Sequence, residues 1–162
     1  MPSTLLVLAA VAVSCAAASP LGARFPPRFP AGLAVRGGAK EAPASADVIA
    51  KYQQAAQLFR MMPGAAGDAL NKLDALVAAG SSESKLCEAL LMARREMVSS
   101  LKGADTEVYE AGLYMVATEA GEMAAQGVLP AEGMARLLKL CAEDLEMTVD
   151  VFASNVEAKN AE

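Results

Sequence analysis

"KLCEALLMARREMVSSLK" (residues 85–102) is the stretch that decides how this chain folds. At about 100° per residue, Leu86, Leu90, Met97, Leu101, Cys87, Val98 and Leu91 fall along one broad apolar face. Lys85, Glu88, Arg95, Glu96, Ser99 and Lys102 fall opposite. The pattern predicts an amphipathic helix, stopped at Gly103. One residue breaks it: Arg94 projects into the apolar face, between Leu101 and Cys87.

The same period runs outward in both directions. Upstream, Asp47 is the expected cap of a first helix, with Val48, Tyr52, Ala55, Phe59 and Met62 on one side. Pro63 and Gly64 end it. A second helix lines up Leu70, Leu73 and Val77 and stops at Gly80, and Ser81 or Ser82 opens the third. Downstream, Asp105 or Thr106 caps a fourth helix with Tyr109, Leu113, Val116, Ala120 and Met123 on its face, ended by Gly127. Pro130 suits the first turn of a fifth helix. Its stripe of Met134, Leu138, Cys141, Leu145, Thr148 and Phe152 keeps four-three spacing. No β-branched alternation occurs. Five helices on short turns predict an all-α antiparallel bundle, with Leu90, Met97, Leu101, Val116, Leu138 and Leu145 buried together.

The two ends of the chain differ in composition. Residues 1–46 hold Arg24, Arg28, Arg36 and Lys40 against Glu41 alone, and six of the eight prolines. Residues 47–162 hold ten Lys and Arg against eighteen Asp and Glu, a net of −8. An acidic domain repels phosphates, so nucleic acid is not an expected partner. "TLLVLAAVAVSCAAAS" is an apolar run closed by small residues and reads as a signal peptide over 1–18. Residues 19–46 have Arg, Pro, Ala and Gly with a single acid, the make-up of a transit-like, disordered leader. Together they predict entry to a secondary plastid, with secretion behind a disordered pro-segment as the alternative. The helical domain is expected over 47–155, followed by a frayed tail over 156–162.

Chemistry is excluded more clearly than it is indicated. The chain has no histidine, which removes Ser-His-Asp and Cys-His catalysis and Glu-x-x-His metal sites. No Gly-rich phosphate loop follows a strand. The expectation is a protein that is not an enzyme. Cys87 and Cys141 fall on apolar faces as small hydrophobes, at a spacing that does not indicate a disulfide. Besides Arg94, the phase puts Glu119 beside Val108 and Met115, away from Glu107 and Glu110, and flanks Asp144 with Leu137 and Leu140. Arg94 therefore either pairs inside the bundle with Glu119 or Asp144, or meets the polar end of a bound ligand.

"ALNKLDALVAAG" (69–80), "KLCEALLMARREMVSSL" (85–101) and "ADTEVYEAGLYMVA" (104–117) resemble three successive segments of the peridinin–chlorophyll a proteins of dinoflagellates. The matches include Asp74, Gly80, Lys85-Leu86, Ala89, Ala93, Ser100, Ala104-Asp105, Leu113 and Val116. The resemblance implies a water-soluble, light-harvesting-related plastid protein whose helices enclose a peridinin-like carotenoid and chlorophyll a. It implies pigment contacts at Arg94, Cys87, Leu91, Val98, Leu101 and Glu119. The family's His-His pair, whose first member holds the chlorophyll magnesium through a water, falls on Arg94-Arg95. Arginine stays protonated and neither ligates a metal nor accepts a hydrogen bond, which counts against chlorophyll held in the family's manner. The resemblance also implies a homodimer, a photosynthetic membrane complex as partner, and residence in the plastid lumen or stroma. The alternative is a pigment-free helical interaction or scaffold protein of such a complex.

Overall fold

The computed structural model describes residues 41–62 and 67–161, which form an all-α bundle without strands. Its helices are α1 (Ala46–Arg60), α2 (Gly67–Ala78), α3 (Glu83–Ser99), α4 (Thr106–Ala125), α5 (Ala131–Asp144) and α6 (Val149–Asn160). The expected signal peptide and the leader as far as Lys40 lie outside the described residues. Residues 41–45 are not helical, but they are tied to the start of α3. Ala44 N–H donates to the Ser81 carbonyl at 3.1 Å, and Ser82 and Ser84 hydroxyls donate to Glu41.

Local chemistry explains most helix ends. Ser45 caps α1, two residues before the expected Asp47, by accepting from Val48 N–H. Asp105 caps α4 through Val108 N–H at 3.1 Å. Gly80 and Gly127 take left-handed φ values of 61° and 75°. In each case the next residue's N–H reaches back to close the helix, Ser81 to Leu76 and Val128 to Met123.

Helix α3 packs on α1, α2, α4 and α5 and is the centre of the bundle. Cys87, Leu91 and Val98 join Leu113, Ala117, Ala120, Leu137, Cys141, Phe152 and others in one core. The other buried α3 residues, Leu86, Ala89, Leu90, Ala93 and Met97, fall outside that core. The six residues expected in a single cluster are thus not all part of it. Leu90 and Met97 are buried apart from Val116 and Leu138, and Leu101 and Leu145 are only half-buried at the edge of the larger core. The reason is the position of α3: a helix that packs on four others buries residues beyond the face turned to this core. The α3–α4 approach is close at Gly112, where a Cβ would lie 2.7 Å from Val98 Cγ1.

The expected fifth helix is two. It breaks after Asp144, and α6 turns back to pack on α4 and α5. Glu146 occupies the left-handed position at φ 57°, the only non-glycine among the described residues to do so. Met147 N–H reaches the Ala142 carbonyl at 3.0 Å in the same closure that Gly80 and Gly127 make. A side chain in that region costs about 1–2 kcal/mol, yet Glu146 stands there, so the sequence carries no glycine to mark this stop. The tail after Asn155 is helical to Asn160, and Val156 is 3% exposed rather than frayed.

Candidate functional site

The candidate residues are distributed around α3, and their neighbours explain each one. Cys87, Leu91 and Val98 are 3%, 2% and 2% exposed, covered by side chains of the larger core. Leu101 lies at the margin of the same core, half-buried in the turn after α3. Arg94 sits beside them on the wheel but points between α1 and α4. Its Nη1 is ion-paired with Glu119 of α4, with the two side chains 11% and 16% exposed. Its guanidinium carbon lies 5.8 Å from the centroid of the Phe59 ring of α1. The expectation that Arg94 turns inward and meets Glu119 is thus matched by the geometry. Asp144, the other acid considered for it, is occupied elsewhere.

Asp144 belongs to Arg95. Nε and Nη2 of Arg95 donate to the two carboxylate oxygens at 2.7 and 2.8 Å, a bidentate pair with both side chains 19% exposed. Ser99 adds a third bond at 3.3 Å, and the Tyr109 hydroxyl donates to the Asp144 carbonyl at 3.0 Å. Burial alone would lower the Arg95 pKa, but the bonds and charge of Asp144 raise it above its ordinary value. Burial, followed by the Asp144 charge, raises the Tyr109 phenol. Burial also pushes the Cys141 thiol, packed nearby with no exposed surface, up to about 12. Such a thiol stays protonated and unreactive at neutral pH.

The wheel had placed Arg95 among solvated residues. It missed that α5 covers Arg95, and two other charges of its polar face are also met by neighbouring helices. Glu88 accepts a bidentate pair from Arg136 of α5 at 2.8 and 2.9 Å. Glu96 accepts from Ala69 N–H at 3.3 Å, which satisfies a first-turn donor of α2. The four charges in the middle of α3 therefore bind four places on three different helices. Sequence could have flagged Arg95 only through the (i, i+1) arginine pair, which on a helix must address two directions.

Among the described residues, no group of three or more Cys, Asp or Glu side chains could hold a metal ion. None of the described helices is long and apolar enough to cross a membrane. An open groove of about 370 Å³ lies between α1 and α2, lined by Gln53, Gln57, Arg60, Asp74, Val77 and Ala78, with Arg60 and Asp74 ion-paired. Cys87 and Cys141 form no disulfide. Comparison of the chain with protein-family models, with curated proteins and with solved structures finds no match.

Proposed function

We propose that this protein is a helical interaction protein of a plastid photosynthetic assembly, one that carries no pigment inside its bundle. The observation that supports this reading is the sealing of the candidate positions. Cys87, Leu91 and Val98 are covered by α4 and α5 side chains, and the Arg94 charge is answered by Glu119. A carotenoid in that space would have to displace protein packed at ordinary core density, losing the dispersion contacts it now makes. The plastid address rests on the composition of residues 1–46 and on the resemblance over 69–117. Lumen and stroma are both compatible with it.

A light-harvesting-related pigment protein is the second reading, favoured by that same resemblance and by the surroundings of Arg94. Its guanidinium lies over Phe59, next in sequence to Leu58, which is 41% exposed. One turn before Glu119 stands Met115, 47% exposed. A carotenoid or chlorophyll a on this reading would lie outside the closed core, along α1 and α4, with Arg94 or Glu119 at its polar end. Visible absorbance of the protein purified from its native source separates the two. A colourless protein that unfolds cooperatively supports the interaction protein, and co-purifying carotenoid or chlorophyll replaces it with the second reading.

A further inference from the structure

The corner between α5 and α6 is held by substitutes for what a continuous helix would supply. Leu145, Glu146, Met147 and Thr148 include no glycine or proline, and three of the four favour helix. Drawn as one helix, residues 134–156 align Met134, Leu138, Cys141, Leu145, Val149, Phe152 and Val156 in a single apolar stripe. The corner interrupts that stripe: Val149 is 38% exposed and Leu145 only half-buried. It also forces Glu146 to φ 57°, where Gly80 and Gly127 stand at the ends of α2 and α4. Thr148 must cap α6 with a bond of 3.4 Å to Val151 N–H, and Tyr109 must supply the donor to the Asp144 carbonyl. In a continuous helix Thr148 N–H would take that carbonyl, and the left-handed residue would vanish.

Beyond the corner, α6 is attached through a compact set of contacts. Phe152 stacks on Tyr114 of α4 with ring centroids 5.1 Å apart, Val156 is buried, and Asn155 donates to the Tyr114 hydroxyl at 3.2 Å. Thr118 donates to the Asn160 side chain at 3.0 Å. The same set can be made with α4 of a second copy, because exchange of an identical element needs no new interface.

We propose that α6 is an exchangeable arm: the corner opens into one helix from α5 through α6, and two copies trade arms to form a symmetric dimer. The straightened segment carries α6 away from its own α4, so the vacated Tyr114 face receives Phe152 and Val156 of the other copy. Asp144, gripped by Arg95, stays fixed as the pivot in both forms. Two hinge changes push in opposite directions. Glu146→Gly makes the left-handed corner easy and helix continuation costly, favouring the monomer. Thr148→Ala removes the α6 cap and improves the continuous helix, favouring exchange.

The test uses the full chain carrying Cys15→Ser, in two single variants, Thr118→Cys and Asn160→Cys, unfolded together, refolded at high concentration and oxidised. Both changes in one chain serve as control, since their disulfide within that chain shows that the two positions reach each other. Exchange predicts a disulfide-linked heterodimer joining position 118 of one variant to position 160 of the other. Its yield should rise with Thr148→Ala and fall with Glu146→Gly, a shift on the order of tenfold per hinge in the dimerisation constant. With the control disulfide formed, absence of the heterodimer overturns the proposal. A heterodimer whose yield is the same in both hinge backgrounds also overturns it.

Discussion

Arg94 and Arg95 are neighbours in sequence and differ in what they hold together. Arg94 ties α3 to the middle of α4 through Glu119, beneath the Phe59 ring of α1. Arg95 ties α3 to the last residue of α5 by a bidentate grip, reinforced by Ser99 and by Tyr109. A helix wheel treats the first as an error and the second as ordinary surface. Both are more than four-fifths covered. The difference teaches that amphipathicity describes a helix with one neighbour, whereas a central helix must find a partner for every charge in every direction.

The comparison breaks most decisively by removing one charge at a time. Arg94→Leu strands Glu119, and loss of one member of a buried pair typically costs about 3–5 kcal/mol. Denaturant unfolding should show a loss of that order, and adding Glu119→Leu should recover most of it, because the pair then leaves no uncompensated charge. Arg95→Leu should cost a similar amount, but Asp144→Leu should restore less of it. There the Ser99 hydroxyl loses its acceptor, and a bond lost from a buried group costs about 1–3 kcal/mol. Near-neutral single variants at both sites would mean that the guanidiniums are solvated and the distinction is empty.

Much of the fold was legible because its punctuation is local. Gly80, Gly103 and Gly127 all take positive φ where the helices were expected to stop, and Asp105 caps where expected. The inward turn of Arg94 was legible too, since phase put it on the wrong face, with Glu119 as one of the two acids it offered; the structure decides for Glu119. What escaped has a common cause. The end of α5 carries Glu146 instead of glycine, so nothing local announces it, and the apolar spacing runs straight through. The Arg95 pair, the Arg136–Glu88 pair and the burial of Leu90 and Met97 outside the main core depend on how many helices surround α3, which no single-helix period contains.

A backbone approach sharpens the comparison at lower cost. Gly112→Ala would set a methyl 2.7 Å from Val98 Cγ1 and pry α4 from α3. Overpacking of this kind costs about 1–3 kcal/mol. Because the strain lies on the α4 side, Val98→Ala in the same chain should relieve it. The Arg94→Leu penalty should shrink in the Gly112→Ala background, and the Arg95→Leu penalty should shrink less, because α4 reaches that pair only through Tyr109. An equal reduction of the two penalties would show that the two arginines are not mechanically separate.

Alkali should distinguish the two sides as well. Cys141, with a thiol raised by burial from 9.0 to about 12, and Tyr109, raised above 10.0, lie on the Arg95 side. A group that holds its proton more tightly when folded gives full stability below its unfolded pKa, and that stability is lost as pH rises toward the folded value. The window therefore opens near pH 9 and runs toward about 12. Cys141→Val, similar in volume and unable to ionise, should flatten the fall in stability measured between pH 8 and about 10.5. An unchanged slope would assign the alkaline loss to groups elsewhere.

The smallest expected effect lies at the edge of the domain, away from both arginines. Glu41 is held below its ordinary value of 4.5 by hydrogen bonds from Ser82 and then Ser84, the residues that open α3. A carboxylate with a depressed folded pKa stabilises above its unfolded pKa, and that contribution disappears as pH falls through the folded value. The carboxylate is almost fully solvated, so water screens the interaction and global stability should barely register it. The local reading is sharper. Below pH 4.5 the Ala44–Ser81 backbone bond, which the Glu41 contacts support, should lose hydrogen-exchange protection. Glu41→Gln should show the same loss at neutral pH, with Arg94 and Arg95 unaffected. Full protection of Ala44 N–H in Glu41→Gln would show that the backbone bond, not the carboxylate, anchors this segment.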